Sequence, residues 1–138
     1  MRLSRIARLD HGPRTGTWYR AVGLIHWKTP TSTDHSRTTS SRFSVASTIK
    51  PAYRTLYLGE THQVVLYEVE ALLGPSTSPI PNPKGSWLLT SLEVTLGSVV
   101  DLTSNAQQRI VGTNDQELTG VWKSSNTPAP TQLLGAGI

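Results

Sequence analysis

The run from Arg54 to Gly74, R-T-L-Y-L-G-E-T-H-Q-V-V-L-Y-E-V-E-A-L-L-G, constrains this chain more than any other stretch. Thr55-Leu56-Tyr57-Leu58 is β-branched and aromatic, with Leu56 and Leu58 on one side and Tyr57 on the other, the pattern of a short strand. Gly59 interrupts it, Thr61 is a good N-cap, and a helix is expected through Leu73, closed by Gly74 and Pro75. On a wheel of about 100° per residue centred on Val65, an apolar arc gathers Val69, Leu66, Leu72 and Leu73. Glu68 falls at about 300°, between Ala71 and Leu72 and inside that arc, whereas Glu70 falls near 140° beside Gln63 on the polar side. A carboxylate aimed at a core is costly unless it is paired or hydrogen-bonded. Glu68 is therefore either half of a buried ion pair or a group held at the floor of a cleft.

The flanking sequence mixes element types. Trp18 to Trp27 has strand composition, and Thr29 to Ser41 is almost wholly polar, a long loop. Arg42-Phe43-Ser44-Val45 follows, then a turn through Lys50-Pro51. Beyond Pro75 the prolines of S-T-S-P-I-P-N-P-K-G predict an exposed connection. Trp87 to Leu96 is the clearest strand: Leu88, Thr90, Leu92, Val94 and Leu96 alternate with Leu89, Ser91, Glu93 and Thr95. Thr103 or Ser104 caps a short helix through Ile110, and Thr113-Asn114-Asp115-Gln116 has capping-box spacing for another toward Trp122. Thr131 opens a last helical turn. There is no internal repeat and no regular strand–helix alternation, so the expected class is α+β in a single compact domain.

Charge narrows the functional classes only a little. The 138 residues carry a formal charge of +4 and a sequence pI near 9.8, a balance that suits nucleic acid, an acidic protein or an anionic small molecule. The basic residues are scattered apart from Arg2, Arg5, Arg8 and Arg14, so residues 1–16 read as a loosely held basic arm with a solvated surface. No Lys/Arg run with interleaved aromatics supports direct nucleic-acid binding. Without cysteine there is neither a disulfide framework nor a Cys-based zinc site. His11, His26, His35 and His62 share no metal-ligand spacing, and no metal is expected. Phosphate-binding glycine loops, a nucleophile elbow and H-E-x-x-H are all missing. No apolar run approaches a membrane span, the N-terminus lacks a secretory signal, and the expected location is cytoplasmic.

The order of short segments is more specific than any one of them. W-Y-R-A, S-S-R-F-S, T-L-Y-L-G and V-L-Y-E-V-E-A-L-L-G, followed by P-N-P-K-G-S-W, D-L-T, Q-E-L-T-G-V-W and P-T-Q-L-L-G-A, resemble the RES domain over roughly Trp18 to Ile138. That family comprises toxins of bacterial Xre/RES toxin–antitoxin pairs, with a fold similar to ADP-ribosyltransferases. The resemblance implies consumption of NAD+ by cleavage of the nicotinamide–ribose bond, with NAD as substrate and an Xre-type antitoxin as partner. The family's arginine matches Arg42, with Arg20 a second; its tyrosine matches Tyr57 and its glutamate Glu68. Arg20, Arg42 and Tyr57 are thus expected to bind the dinucleotide, and Arg42, Tyr57 and Glu68 to serve catalysis. Read as plain structure, Arg42 caps a loop, Arg20 is surface and Tyr57 is a half-buried sheet residue. The family serine lies in a P-S-A-like motif beyond the segment resembling P-T-Q-L-L-G-A; Ser124 and Ser125 lie in another context, so its role is not carried onto them. The expectation is a RES-like NAD-binding domain at 17–138, incomplete at its C-terminus.

Overall fold

The structure, a computed structural model, describes residues 1–45, 53–69, 86–120, 122 and 127–138. The Lys50-Pro51 turn, Glu70, the expected helix end at Gly74-Pro75, the proline-rich connection, and Ser124 and Ser125 lie outside the described residues. In chain order the elements are strand β1 (His11–Gly23), helix α1 (His62–Glu68), strand β2 (Trp87–Val100), and helices α2 (Asn105–Val111), α3 (Asp115–Thr119) and α4 (Pro130–Gly135), with short 3-10 turns at Leu3–Arg8, Leu24–His26 and Asp34–Arg37. This mixture is compatible with the α+β class. β1 and β2 pair in a two-stranded sheet. Thr17 meets Glu93 and His11 meets Ser98, so the register runs antiparallel.

Chain contacts divide the molecule into two compact units, one of Met1–Pro13, Thr33–Thr55 and Gly97–Ile138, the other of Arg14–Ser32 and Leu56–Leu96. In the first, Leu9, Val111, Ala129 and Leu134 form the apolar centre. The first residues do not trail as a loose arm. The Arg2 amide donates to the Val111 carbonyl at 2.6 Å, the 3-10 turn packs on α2, and the Asp10 amide donates to Gln107 Oε1 at 2.9 Å. A basic, apolar-poor stretch reads as unattached from composition, but its backbone finds partners nearly a hundred residues away.

Most buried polar side chains inside this unit find partners, as burial demands, the hydroxyls of Thr55 and Thr131 being the exceptions among the described residues. Gln108 Nε2 donates to the Leu102 carbonyl at 2.8 Å and to Asp115 Oδ1 at 2.6 Å. α2 ends at Gly112, whose φ of 67° suits a residue without a Cβ. α3 is capped by Asn114, one residue later than the capping-box spacing suggests, because Asn114 Oδ1 accepts from the Glu117 amide while Thr113 Oγ1 turns to Glu117 Oε2. α4 carries proline in its first turn, and Gln132 Oε1 accepts from the Ala129 amide. Behind it, Gly135 faces the Phe43 carbonyl too closely to admit a Cβ.

In the second unit the alternation of β2 appears as expected: Leu88, Thr90, Leu92 and Val94 are half-buried while Leu89, Ser91, Glu93 and Thr95 are exposed. The period fails at Leu96, which is 46% exposed. The strand expected at Thr55–Leu58 does not form a ladder. Among the described residues its backbone pairing is the bridge at Gly59, with reciprocal bonds to Tyr19 at 2.8 and 2.9 Å. β-branched composition makes a strand possible; only a partner makes it one. Among the described residues no helix is long and apolar enough to cross a membrane.

Candidate active site

The site is built where the Tyr19–Gly59 bridge brings β1 against the start of α1. Gly59 is needed there, since a Cβ would lie 2.7 Å from Val65 Cγ1 and 2.9 Å from Val64 Cγ1. Thr61 then caps α1, its hydroxyl accepting from the Val64 amide at 3.2 Å. The result is a cavity of about 310 Å³ within the second unit, lined by Arg20, Tyr57, Gly59 and Glu68 with an apolar wall of Val64, Val65 and Val69. Three of the four residues singled out from sequence therefore share one cavity.

Arg20 is buried in the middle of β1, and burial pushes its guanidinium below the ordinary arginine value, though an arginine stays charged. It is not a surface residue. Its Nη1 donates to the Tyr57 carbonyl at 3.3 Å, while Nε is sealed from water with no acceptor among the described residues. Tyr57 is half-buried and brings its carbonyl to Arg20, so the residue contributes backbone as well as ring.

Glu68 does not face a core. It is exposed, the last residue of α1, and is among the residues that line the cavity. The wheel enclosed it between Ala71 and Leu72, which lie outside the described residues; Glu68 itself is the last residue of α1, with Val69 as the cap. Val65, by contrast, is buried as the wheel requires. Among the described residues Glu68 makes no hydrogen bond or ion pair, which excludes the buried-pair alternative and leaves a carboxylate at a cleft.

Arg42 belongs to the other unit. It sits at the tip of a two-residue turn closed by Ser41 and Ser44, whose amides and carbonyls pair at 2.8 and 3.2 Å. Its Nη1 donates to the Leu118 carbonyl at 3.1 Å and the Gly120 carbonyl at 2.7 Å. This anchoring agrees with the loop-capping reading of Arg42, and it leaves Nε and Nη2 without a hydrogen bond to the described residues.

Sequence reasoning did not find Gly59, Val64 and Val69 as cavity residues; the T-L-Y-L-G break before a capped helix was the available signal for Gly59. A cation, a carboxylate and an apolar wall in one cavity suit a ligand with an anionic group and a centre that becomes electron-poor. No group of three or more His, Cys, Asp or Glu among the described residues is placed to hold a metal ion. A protein-family model described as RES domain matches residues 17–138. No curated protein and no solved structure matches the chain.

Proposed function

The chain belongs to the RES domain family, and from that membership we propose that it is an NAD+-consuming toxin of a toxin–antitoxin pair, acting in the cytoplasm on an ADP-ribosyltransferase-like fold. RES domains are associated with NAD-related toxin–antitoxin systems. The observation that carries the reading is the convergence of Arg20, Tyr57 and Glu68 on one cavity. Its volume lies at the small end of the range for ligand sites, enough for the reacting part of a dinucleotide.

As the nicotinamide–ribose bond breaks, its electron pair leaves with the nicotinamide and positive charge grows on the ribose. The Glu68 carboxylate opposes that charge more strongly in the transition state than in the ground state, which is the condition for catalysis. Tyr57 stacks on or hydrogen-bonds to the ribose. Arg20 and Arg42 each offer a guanidinium fork, better suited to phosphate oxygens than an ammonium, and each is proposed as a dinucleotide-binding residue. Capture by water, inorganic phosphate or a protein side chain distinguishes a glycohydrolase, a phosphorylase and a transferase. The test is incubation of the full chain with NAD+, with and without phosphate. Nicotinamide release is expected; none under either condition overturns the proposal.

A second reading, a catalytically silent RES-fold module acting through a protein partner, draws support from Arg42, whose Nη1 is committed to two backbone carbonyls. Under either reading the partner is an Xre-type antitoxin. Its acidic or C-terminal carboxylate-bearing segment pairs with Arg20 or Arg42 and plugs the site, the alternative being closure over the polar stretch 29–41. Arg20→Ala or Arg42→Ala is expected to weaken the complex by about 2 kcal/mol or more by titration calorimetry. Unchanged affinity in both variants rules out the plug.

A further inference from the structure

The turn that carries Arg42 is braced from two sides by side chains distant in sequence. Gln132, buried in α4, donates from Nε2 to the Ser41 carbonyl at 2.9 Å and the Ser44 carbonyl at 3.3 Å, so one amide grips both ends of the turn. Tyr53 Oη donates to the Phe43 carbonyl at its tip. Ser41 Oγ and Ser44 Oγ lie 2.6 Å apart and close the turn from within. Capping α4 needs only Oε1 of Gln132; a helix cap does not require its Nε2. The rigidity is therefore directed at the turn.

We infer that Gln132 is a positioning residue: by gripping both ends of the 41–44 turn it aims the Nε–Nη2 edge of Arg42 at a phosphate group, with Tyr53 as its auxiliary. Nη1 is tied back to Leu118 and Gly120, which restrains the guanidinium, and the edge that remains is the side-on fork that can donate to two oxygens of one phosphate. A fork of this kind grips well only while its plane is held, which is what a two-carbonyl brace supplies. The inference rests on the proposed role of Arg42 in binding the pyrophosphate of NAD+.

The test measures the affinity of the full chain for inorganic pyrophosphate by calorimetry, with nicotinamide release from NAD+ followed in parallel. Gln132→Met, a swap of similar volume, is expected to weaken pyrophosphate binding by about tenfold and to raise KM for NAD+ alike, with kcat less affected. In an Arg42→Ala background the same substitution produces no further loss, because Gln132 acts through Arg42. Tyr53→Phe removes one hydroxyl, serves if Gln132→Met does not fold, and is expected to weaken binding by about threefold. A merely structural role lowers the unfolding midpoint but leaves the affinity of the folded protein intact; that outcome, additive losses in the double variant, or no pyrophosphate binding by the wild type overturns the inference. Pyrophosphate binding that follows the expected pattern without nicotinamide release upholds it and overturns only the proposed activity.

Discussion

If the chain consumes NAD+ as proposed, Glu68→Gln is expected to leave the protein folded and to lower the rate of nicotinamide release by about 10²- to 10³-fold. The expectation of intact folding is physical. Glu68 is exposed at the last position of α1, and no described residue bonds to it, so an amide of the same shape removes a charge and little else. The effect on rate is physical too. A fixed carboxylate beside a ribose that becomes cationic stabilises the transition state without gripping the neutral sugar, so kcat falls while KM stays near its starting value. Steady-state nicotinamide release and a far-ultraviolet circular dichroism spectrum check both halves. A fall of less than about fivefold would remove Glu68 from the chemistry. Under the silent-module reading the same variant binds its antitoxin unchanged and the parent shows no turnover to lose.

The other large effect is on stability. Leu134→Ala is expected to cost about 2–5 kcal/mol, because Leu134 is wholly buried and its truncation opens a cavity in the first unit. The packing around it is tight: Gly135, the next residue, already stands against the Phe43 carbonyl without space for a methyl group. α4 therefore has little freedom to slide and fill the gap. Leu133 is the control on the same helix; it is 42% exposed, and Leu133→Ala should move stability by no more than about 0.5 kcal/mol. Urea unfolding separates the two, with the midpoint shifted and the slope unchanged for Leu134→Ala.

What could be read from the chain was what depends on near neighbours. The β2 face, the Thr61 cap and the burial of Val65 each follow from residues within a few positions, and all three are present. Glu68 was found for a reason that only partly survives. The wheel, drawn to Leu73, set the acid in a core; residues 70–73 lie outside the described residues, and Glu68 is exposed beside a cavity. Arg20 and Tyr57 share that cavity through one bridge, Tyr19 to Gly59, that no local pattern announces. The partners of Arg42 were out of reach altogether, since Leu118 and Gly120 lie more than seventy residues along the chain. The same holds for Gln132, a polar residue type that favours solvent but is buried here, where its Nε2 bonds reach Ser41 and Ser44 far back along the chain.

Arg20 has a consequence for the lifetime of the protein. A guanidinium nitrogen shut away from water without an acceptor is a debit to the fold of about 1–3 kcal/mol. An anion bound against Nε would cancel it, and occupancy and folding would then be thermodynamically linked, the filled protein unfolding less often than the empty one. Proteases that act on transiently opened chains then clear the empty form first. The cellular half-life of the protein would follow the concentration of whatever fills the cavity, and its abundance would fall as that ligand is exhausted.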